Sequence, residues 1–304
     1  MAGCNSERRD SIFSPFCPVC NSSRQKEIFV HNHFRYVRCH KCGIVWMNPL
    51  LTVEERGDDY ESIDWDSYNR FMADFRCRQF ERDIALIERF CPEKGHLLDI
   101  GTGTGEFLDV ATRHGFIAHG IEPSGRAIEK ALKKGHVIKG KFEDLTLQEN
   151  FFNVVTMWSV LEHVPQPVNF LQKAHNLLKE NGLLALRVPL SSSLINILCI
   201  LTYKISGHLI SKPLIQFYQL DWQSQHFFLF TEFSLFLLLK KTGFQPVWRR
   251  RENGFDVATL RYRLNFRLKN WLYEKILSLT AGIILTSAKL LRKEDEIVLL
   301  ARKV

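Results

Sequence analysis

This sequence predicts an α/β fold: a doubly wound, mostly parallel sheet preceded by a small metal-stapled module. Three observations carry the prediction. Cys17-Pro-Val-Cys20 and Cys39-His-Lys-Cys42 form two knuckles with eighteen residues between them. A short apolar run, His96–Ile100, breaks into the glycine turn Gly101-Thr-Gly-Thr-Gly105, and helical spacing starts at Glu106. From there to Pro189, strand-like apolar runs alternate with helical periodicity, as parallel strands joined by crossover helices require.

A Cys-x-x-Cys turn lets two thiolates reach one ion, and a second knuckle after fifteen to twenty residues completes a tetrahedral set. Cys17, Cys20, Cys39 and Cys42 are therefore the predicted ligands of a zinc ion. Four thiolates leave no open coordination position, so the expected role is structural. Glu27–Val30 and Phe34–Arg38 are rich in β-type residues and suggest a hairpin between the knuckles. His31, His33 and His40 read as surface histidines. The module is assigned to residues 1–60 and resembles a zinc ribbon.

Glu54, Glu55, Asp58, Asp59 and Asp64 mix with Tyr60, Trp65, Tyr68 and Phe71 in the next stretch. The spacing of Phe71, Phe75, Phe80, Ile84, Ile87 and Phe90 predicts an amphipathic helix over Asp66–Phe90, stopped by Cys91-Pro92 and Gly95. Residues 61–95 are read as connecting helices and 96–304 as the main domain.

The main domain opens on strand, glycine turn and helix. Without Cβ atoms such a turn lets a nucleoside approach the main chain, and the following helix N-terminus offers unpaired N–H donors. The spacing is Gly-x-Gly-x-Gly rather than the Gly-x-Gly-x-x-Gly of a pyrophosphate cradle. A second strand, Phe116–Ile121, ends in Glu122, seventeen residues past Gly105. A carboxylate there can take both ribose hydroxyls. A helix (Ser124–Lys134), a third strand (His136–Lys139) and the segment Phe142–Leu145 follow. A fourth strand starts at Phe152 and a fifth is Leu183–Pro189. An apolar insertion, about residues 191–225, is a candidate lid over the acceptor, with a helix packed on the core as the alternative. Phe244–Trp248 and Asp295–Arg302 supply the last strands, the latter as an edge strand.

Leu97–Gly105, Glu122, Phe142–Leu145, the run Phe152–His163 and Asn181-Gly182-Leu183 together resemble a class I S-adenosylmethionine-dependent methyltransferase. The resemblance covers about Leu97–Pro189 and resumes weakly over Gln225–Phe244. It implies a Rossmann-like, seven-stranded doubly wound sheet and S-adenosylmethionine as cofactor. It implies that Asp99, Gly101, Gly103 and Gly105 hold the methionine end, that Glu122 binds the ribose, and that Glu143 or Asp144 lies beside the adenine. Trp158 and Ser159 would line the cofactor near its sulfonium. Asn153 departs from the acid common at the start of the fourth strand. Histidines recur in the resembling subgroup at the positions of His163 and His226. Each is a candidate base for deprotonating an acceptor, or else a structural hydrogen-bonding group.

Net charge is +8 from 41 Lys+Arg and 33 Asp+Glu over 304 residues. The surplus is concentrated from Lys240 onward, where fifteen basic residues face six acidic ones. A basic segment of this kind favours an anionic partner or is simply a solvated face. The start carries no apolar signal region, no apolar run is long enough to span a bilayer, and the cysteines suit a reducing compartment. The expected location is therefore cytoplasmic. Ile276–Leu291, flanked by Lys275, Lys289, Arg292 and Lys293, suits either a membrane surface or a buried helix. The leading reading is methyl transfer to oxygen or carbon of a small or lipid-linked metabolite. The alternatives are an RNA methyltransferase and a non-catalytic cofactor-binding homologue. The ribbon is only mildly basic, and no Asn/Asp-Pro-Pro-Tyr/Phe tetrad follows the fourth strand, which argues against RNA.

Overall fold

Two sheets share one core. The computed structural model describes residues 13–50, 60–222, 224–257, 259 and 271–304. Glu54, Glu55, Asp58 and Asp59 lie outside them, as do the side chains of Tyr60, Tyr68 and Phe71.

The ribbon strands are β1 (Gln25–His31), β2 (Phe34–Cys39) and β3 (Val45–Met47). They pair antiparallel in sequence order. A long helix follows, α1 (Trp65–Phe90), capped by Asp64, whose carboxylate accepts the Ser67 N–H.

The large sheet is built from β4 (Gly95–Ile100), β5 (Phe116–Glu122), β6 (His136–Lys139), β7 (Phe152–Trp158), β8 (Leu178–Pro189), β10 (Phe244–Glu252) and β11 (Glu296–Lys303). Its order is β10-β11-β8-β7-β4-β5-β6. This is the predicted Rossmann-like, seven-stranded sheet. The pairs from β8 through to β6 are parallel. β11 runs antiparallel between β8 and β10. The last strand is thus interior rather than an edge, and the edge strand is β10. The reason is legible in composition: Ile297–Ala301 is apolar at every position and fully buried, whereas β10 carries Arg249, Arg250 and Arg251. The fifth strand also starts earlier than expected, at Leu178.

Helices α2 (Glu106–Arg113), α3 (Gly125–Ala131) and α4 (Pro167–Leu177) are the crossovers. Period-2 alternation divides the strand residues between two cores. Leu97, Val154, Leu183 and Val298 face α1 and α2 with Phe80, Ile84 and Phe107. Leu98, Val155, Leu184 and Leu299 face α4, the ribbon and α7 (Glu232–Lys241). The insertion forms α5 (Leu194–Ile205) and α6 (Lys212–Phe217). A final helix, α8 (Trp271–Leu290), packs beside α5.

Asn153 has a structural use. Its side-chain oxygen accepts the His96 N–H at 3.1 Å and the Lys179 ammonium at 3.1 Å. It ties together the N-terminal ends of β4, β7 and β8, opposite the glycine turn.

A two-residue strand, β9 (Phe228–Leu229), leaves the large domain and pairs with β3 of the ribbon. The ribbon sheet is therefore four-stranded, in the order β1-β2-β3-β9. Nothing in the sequence pattern signalled this pairing.

Candidate active site

The glycine turn sits at the C-terminal end of β4. Gly101 and Gly105 hold φ of +72° and +80°, a region open to glycine at little cost. A Cβ on Gly105 would lie 2.9 Å from the Ala131 backbone, and one on Gly101 would lie 2.7 Å from Val160 Cγ2. The second contact also shows that the loop after β7 abuts the loop after β4. Carboxyl ends of neighbouring strands thus converge at the crevice where open α/β sheets bind ligands.

Glu122 closes this crevice from β5. Its two carboxylate oxygens accept the Gly103 N–H at 2.8 Å and the Ser124 N–H at 2.9 Å. Burial raises its pKa, and these two bonds oppose the rise. A carboxylate has about four acceptor sites, so ribose hydroxyls can be added to the N–H bonds already made. Asp99 lies beneath the turn. It is fully buried and accepts the Thr156 hydroxyl at 2.7 Å. Burial pushes its pKa up to about 7.

Phe142–Asp144 forms a single 3-10 turn with Glu143 and Asp144 exposed. Lys173 of α4 clamps it. The ammonium donates to the carbonyls of Phe142 (2.6 Å), Glu143 (2.9 Å) and Leu145 (2.6 Å). It also lies 4.9 Å from the Phe142 ring centre. Its own pKa is lowered by burial.

Trp158 ends β7 with its ring in the core facing α1, packed on Phe80, Phe107 and the Arg187 guanidinium. Its Nε1 has no hydrogen-bond partner. Ser159 follows in left-handed conformation and donates its N–H to Arg187 O at 3.0 Å. Arg187 is itself held in the interior by Asp83, Glu252 and Glu296.

His163 and His226, sixty-three positions apart in sequence, come together with ring centres 4.9 Å apart. His163 Nδ1 lies 2.9 Å from Gln225 O. The Ser224 hydroxyl lies 2.9 Å from the same nitrogen, so Nδ1 meets both a carbonyl that accepts its proton and a hydroxyl that can donate to its lone pair. Beside them the Glu162 carboxyl is fully buried, and burial raises its pKa well above the ordinary range. Its Oε2 has no hydrogen-bond partner among the described residues. Ligand atoms of Glu162, His163 and His226 all lie within 4.8 Å of one another, a carboxylate–imidazole set that could hold a divalent ion.

In the ribbon, the four predicted ligands come together, with all Sγ atoms within 4.8 Å of one another. Cys17 and Cys42 sulfurs are 3.6 Å apart, and those of Cys20 and Cys39 3.5 Å. Zn–S bonds of about 2.3 Å in a tetrahedron put sulfurs about 3.8 Å apart, so the donors fit zinc.

Three contributors have no site role in the sequence reading: Glu61, just ahead of α1, and Trp65 and Asn69 in its first turns. Glu61 accepts the N–H groups of Gly125 (2.7 Å) and Arg126 (3.2 Å) at the N-terminus of α3. Trp65 donates to Ser124 Oγ at 3.3 Å, and its ring lies 3.5 Å from where a Cβ on Gly103 would be. Asn69 donates to Thr104 Oγ1 at 2.8 Å. Together they strap α1 across the glycine turn. The one available signal was the cluster of acids and aromatics just ahead of the helix.

Residues 68–249 match a methyltransferase-domain family, and the chain belongs to that family. Over 125 residues it is 31% identical to the ubiquinone biosynthesis O-methyltransferase of Nitrobacter winogradskyi, covering 38% of this chain and 46% of that protein. With the Coxiella burnetii protein of the same name it shares 32% over 109 residues, 33% of this chain and 46% of the other. The chain thus spans about half the length of the curated relatives it matches. A solved methyltransferase-fold structure from Galdieria sulphuraria superposes with a TM-score of 0.51 at 13% identity, over 74% of this chain and 85% of that one. That likeness speaks to the fold alone.

Proposed function

We propose that the chain is an S-adenosylmethionine-dependent methyltransferase acting on oxygen or carbon of a small or lipid-linked metabolite. The observation that carries this is the convergence of the Gly101–Gly105 turn, Glu122 and the loop after β7 at one crevice. When bound, the cofactor supplies a sulfonium methyl for direct displacement. The residues that would hold it are Gly101, Gly103 and Gly105, whose lack of a Cβ lets it lie against the main chain, Glu122 on the ribose, and Glu143 or Asp144 near the adenine. Asp99 acts from below through Thr156, and Trp158 and Ser159 by shaping the far wall. Positioning supplies much of the rate in such a transfer. His163 or His226 takes the acceptor's proton. Isothermal titration with S-adenosylmethionine tests the reading; absence of binding at high micromolar ligand overturns it.

The unpartnered Glu162 carboxyl oxygen favours a second role for this corner. Glu162, His163 and His226 would hold a divalent cation, and the cation would lower the pKa of an acceptor hydroxyl. Turnover abolished by chelator and restored by Mn2+, with the ribbon's zinc retained, supports it.

Zinc in the Cys4 site is structural in this proposal, and residues 1–60, 61–95 and 96–304 act as module, connector and catalytic domain. An anionic bilayer surface is the proposed setting. The exposed faces of α5 (Ile197, Leu201, Ile205) and α8 (Ile276, Leu279, Ile283) repeat every three or four residues. Between Leu194 and Leu220, and between Lys275 and Lys293, the sequence has six Lys/Arg and no Asp or Glu. Apolar face and basic flank together suit acidic lipid. No described helix is long and apolar enough to cross a membrane. Co-sedimentation with phosphatidylglycerol vesicles but not phosphatidylcholine vesicles, lost in Leu279→Asp, is the expected result.

A further inference from the structure

We propose that Tyr36 of the ribbon is a positioning residue for His226, and that through it the Cys4 site is coupled to methyl transfer. The inference rests on the reading of His226 as a group that meets the acceptor.

The main chain of residue 226 is gripped from both sides. Its N–H donates to Tyr218 O at 3.1 Å. Its carbonyl accepts the Tyr36 hydroxyl at 2.6 Å, across 190 positions of sequence. Tyr36 and Tyr218 are both fully buried and stack edge-on with ring centres 4.5 Å apart. The two grips therefore brace each other. Phe227 then donates its N–H to Glu162 O at 2.7 Å and accepts the Met47 N–H at 2.9 Å. The same short segment thus binds the ribbon on one side and the His163 turn on the other.

The path from the thiolates to this segment is short. Cys39 closes β2, which carries Tyr36, and its N–H donates to Ile44 O. Cys42 O accepts the Thr231 hydroxyl at 2.7 Å, and Thr231 caps α7. A Cβ on Gly43 would lie 2.9 Å from Thr231 Cγ2. The span 226–231 is therefore pinned at one end by Tyr36, in the middle by β3 and at the other end by Cys42. A metal that fixes the knuckles fixes this span as well. A closed thiolate site has no chemistry of its own to offer, and its contribution to turnover is the geometry it imposes.

The test is Tyr36→Phe, which deletes one hydroxyl and keeps the ring. The control, Tyr203→Phe, deletes another tyrosine hydroxyl bonded to the ribbon, one that ends on Val30 O at 3.4 Å. We expect kcat to fall about tenfold in Tyr36→Phe, with the KM for cofactor unchanged and the His226 imidazole 15N signals shifted. Tyr203→Phe should keep both. A wild-type kcat in Tyr36→Phe overturns the coupling, as does an equal fall in both variants or a fall with unmoved imidazole signals. Separately, zinc removal from the intact chain should speed hydrogen exchange across 226–231 and leave β4 and β7 protected; unchanged exchange across 226–231 overturns the proposal. If no acceptor is ever methylated, the imidazole shift and the exchange result still report on positioning, and only the enzymatic reading fails.

Discussion

The glycine-turn crevice and the wall around His226 are built in opposite ways. The crevice draws on β4, β5 and their turns, and its key bond, Gly103 to Glu122, joins residues nineteen apart. The wall is closed by bonds across 190 residues, from Tyr36 to His226, and 189, from Thr231 to Cys42. A crevice made of neighbouring βα units forms whenever its strands pair. A wall made of segments far apart in sequence forms only once the ribbon has docked. Damage to the first should remove binding, while damage to the second should spare binding and slow the chemistry.

Glu122→Ala gives the largest expected effect. It removes the acceptor of two main-chain N–H groups and the ribose ligand together, so cofactor affinity should fall at least about a hundredfold, read by calorimetry. Unchanged affinity would place the nucleoside elsewhere.

On the other side, His226→Ala should lower kcat about a hundredfold while leaving cofactor affinity within a factor of two or so. Near-normal turnover would remove His226 as the base and leave His163 to be tested alone.

Cys39→Ser should release zinc, measured by native mass spectrometry, and lower the melting temperature. Cofactor affinity in the surviving folded fraction should be nearly intact. A loss of affinity equal to the loss of kcat would erase the contrast between the two regions.

Asp99 sharpens the comparison through pH. Burial pushes its carboxyl up to about 7, above the ordinary value of 3.8. Between those values the unfolded chain is ionised while the folded one keeps its proton. The contribution to stability is therefore full below about pH 4 and lost as pH rises through about 7. Asp99→Asn should flatten that part of the Tm–pH curve, and an unchanged slope would refute the assignment.

Trp65→Ala is the mildest change. Unroofing the glycine turn should speed cofactor release several-fold in stopped-flow measurements, with little effect on kcat if chemistry limits turnover.

The legible parts were those whose physics is local. Two Cys-x-x-Cys turns at a workable spacing, three glycines after an apolar run, and an acid at the end of the next strand each meet a constraint within a few residues. Their positions therefore follow from the sequence. The order of the last two strands was misread because an antiparallel insertion depends on which strand the rest of the sheet can bury. The packing of the Trp158 ring on Phe80 and the Arg187 guanidinium was not legible, because those partners lie on distant segments. Lys173 escaped notice because its three carbonyl partners lie about thirty residues earlier in the chain.

By itself the sequence determined the two cysteine knuckles, the glycine turn and the strand–helix alternation, because short-range sterics and periodicity leave few other solutions for those residues. The tertiary structure alone decided that β9 would complete the ribbon sheet, that Glu162, His163 and His226 would meet, and that Tyr36 would hold His226. Those contacts join distant segments through burial, and burial depends on the whole packed chain rather than on any stretch of it.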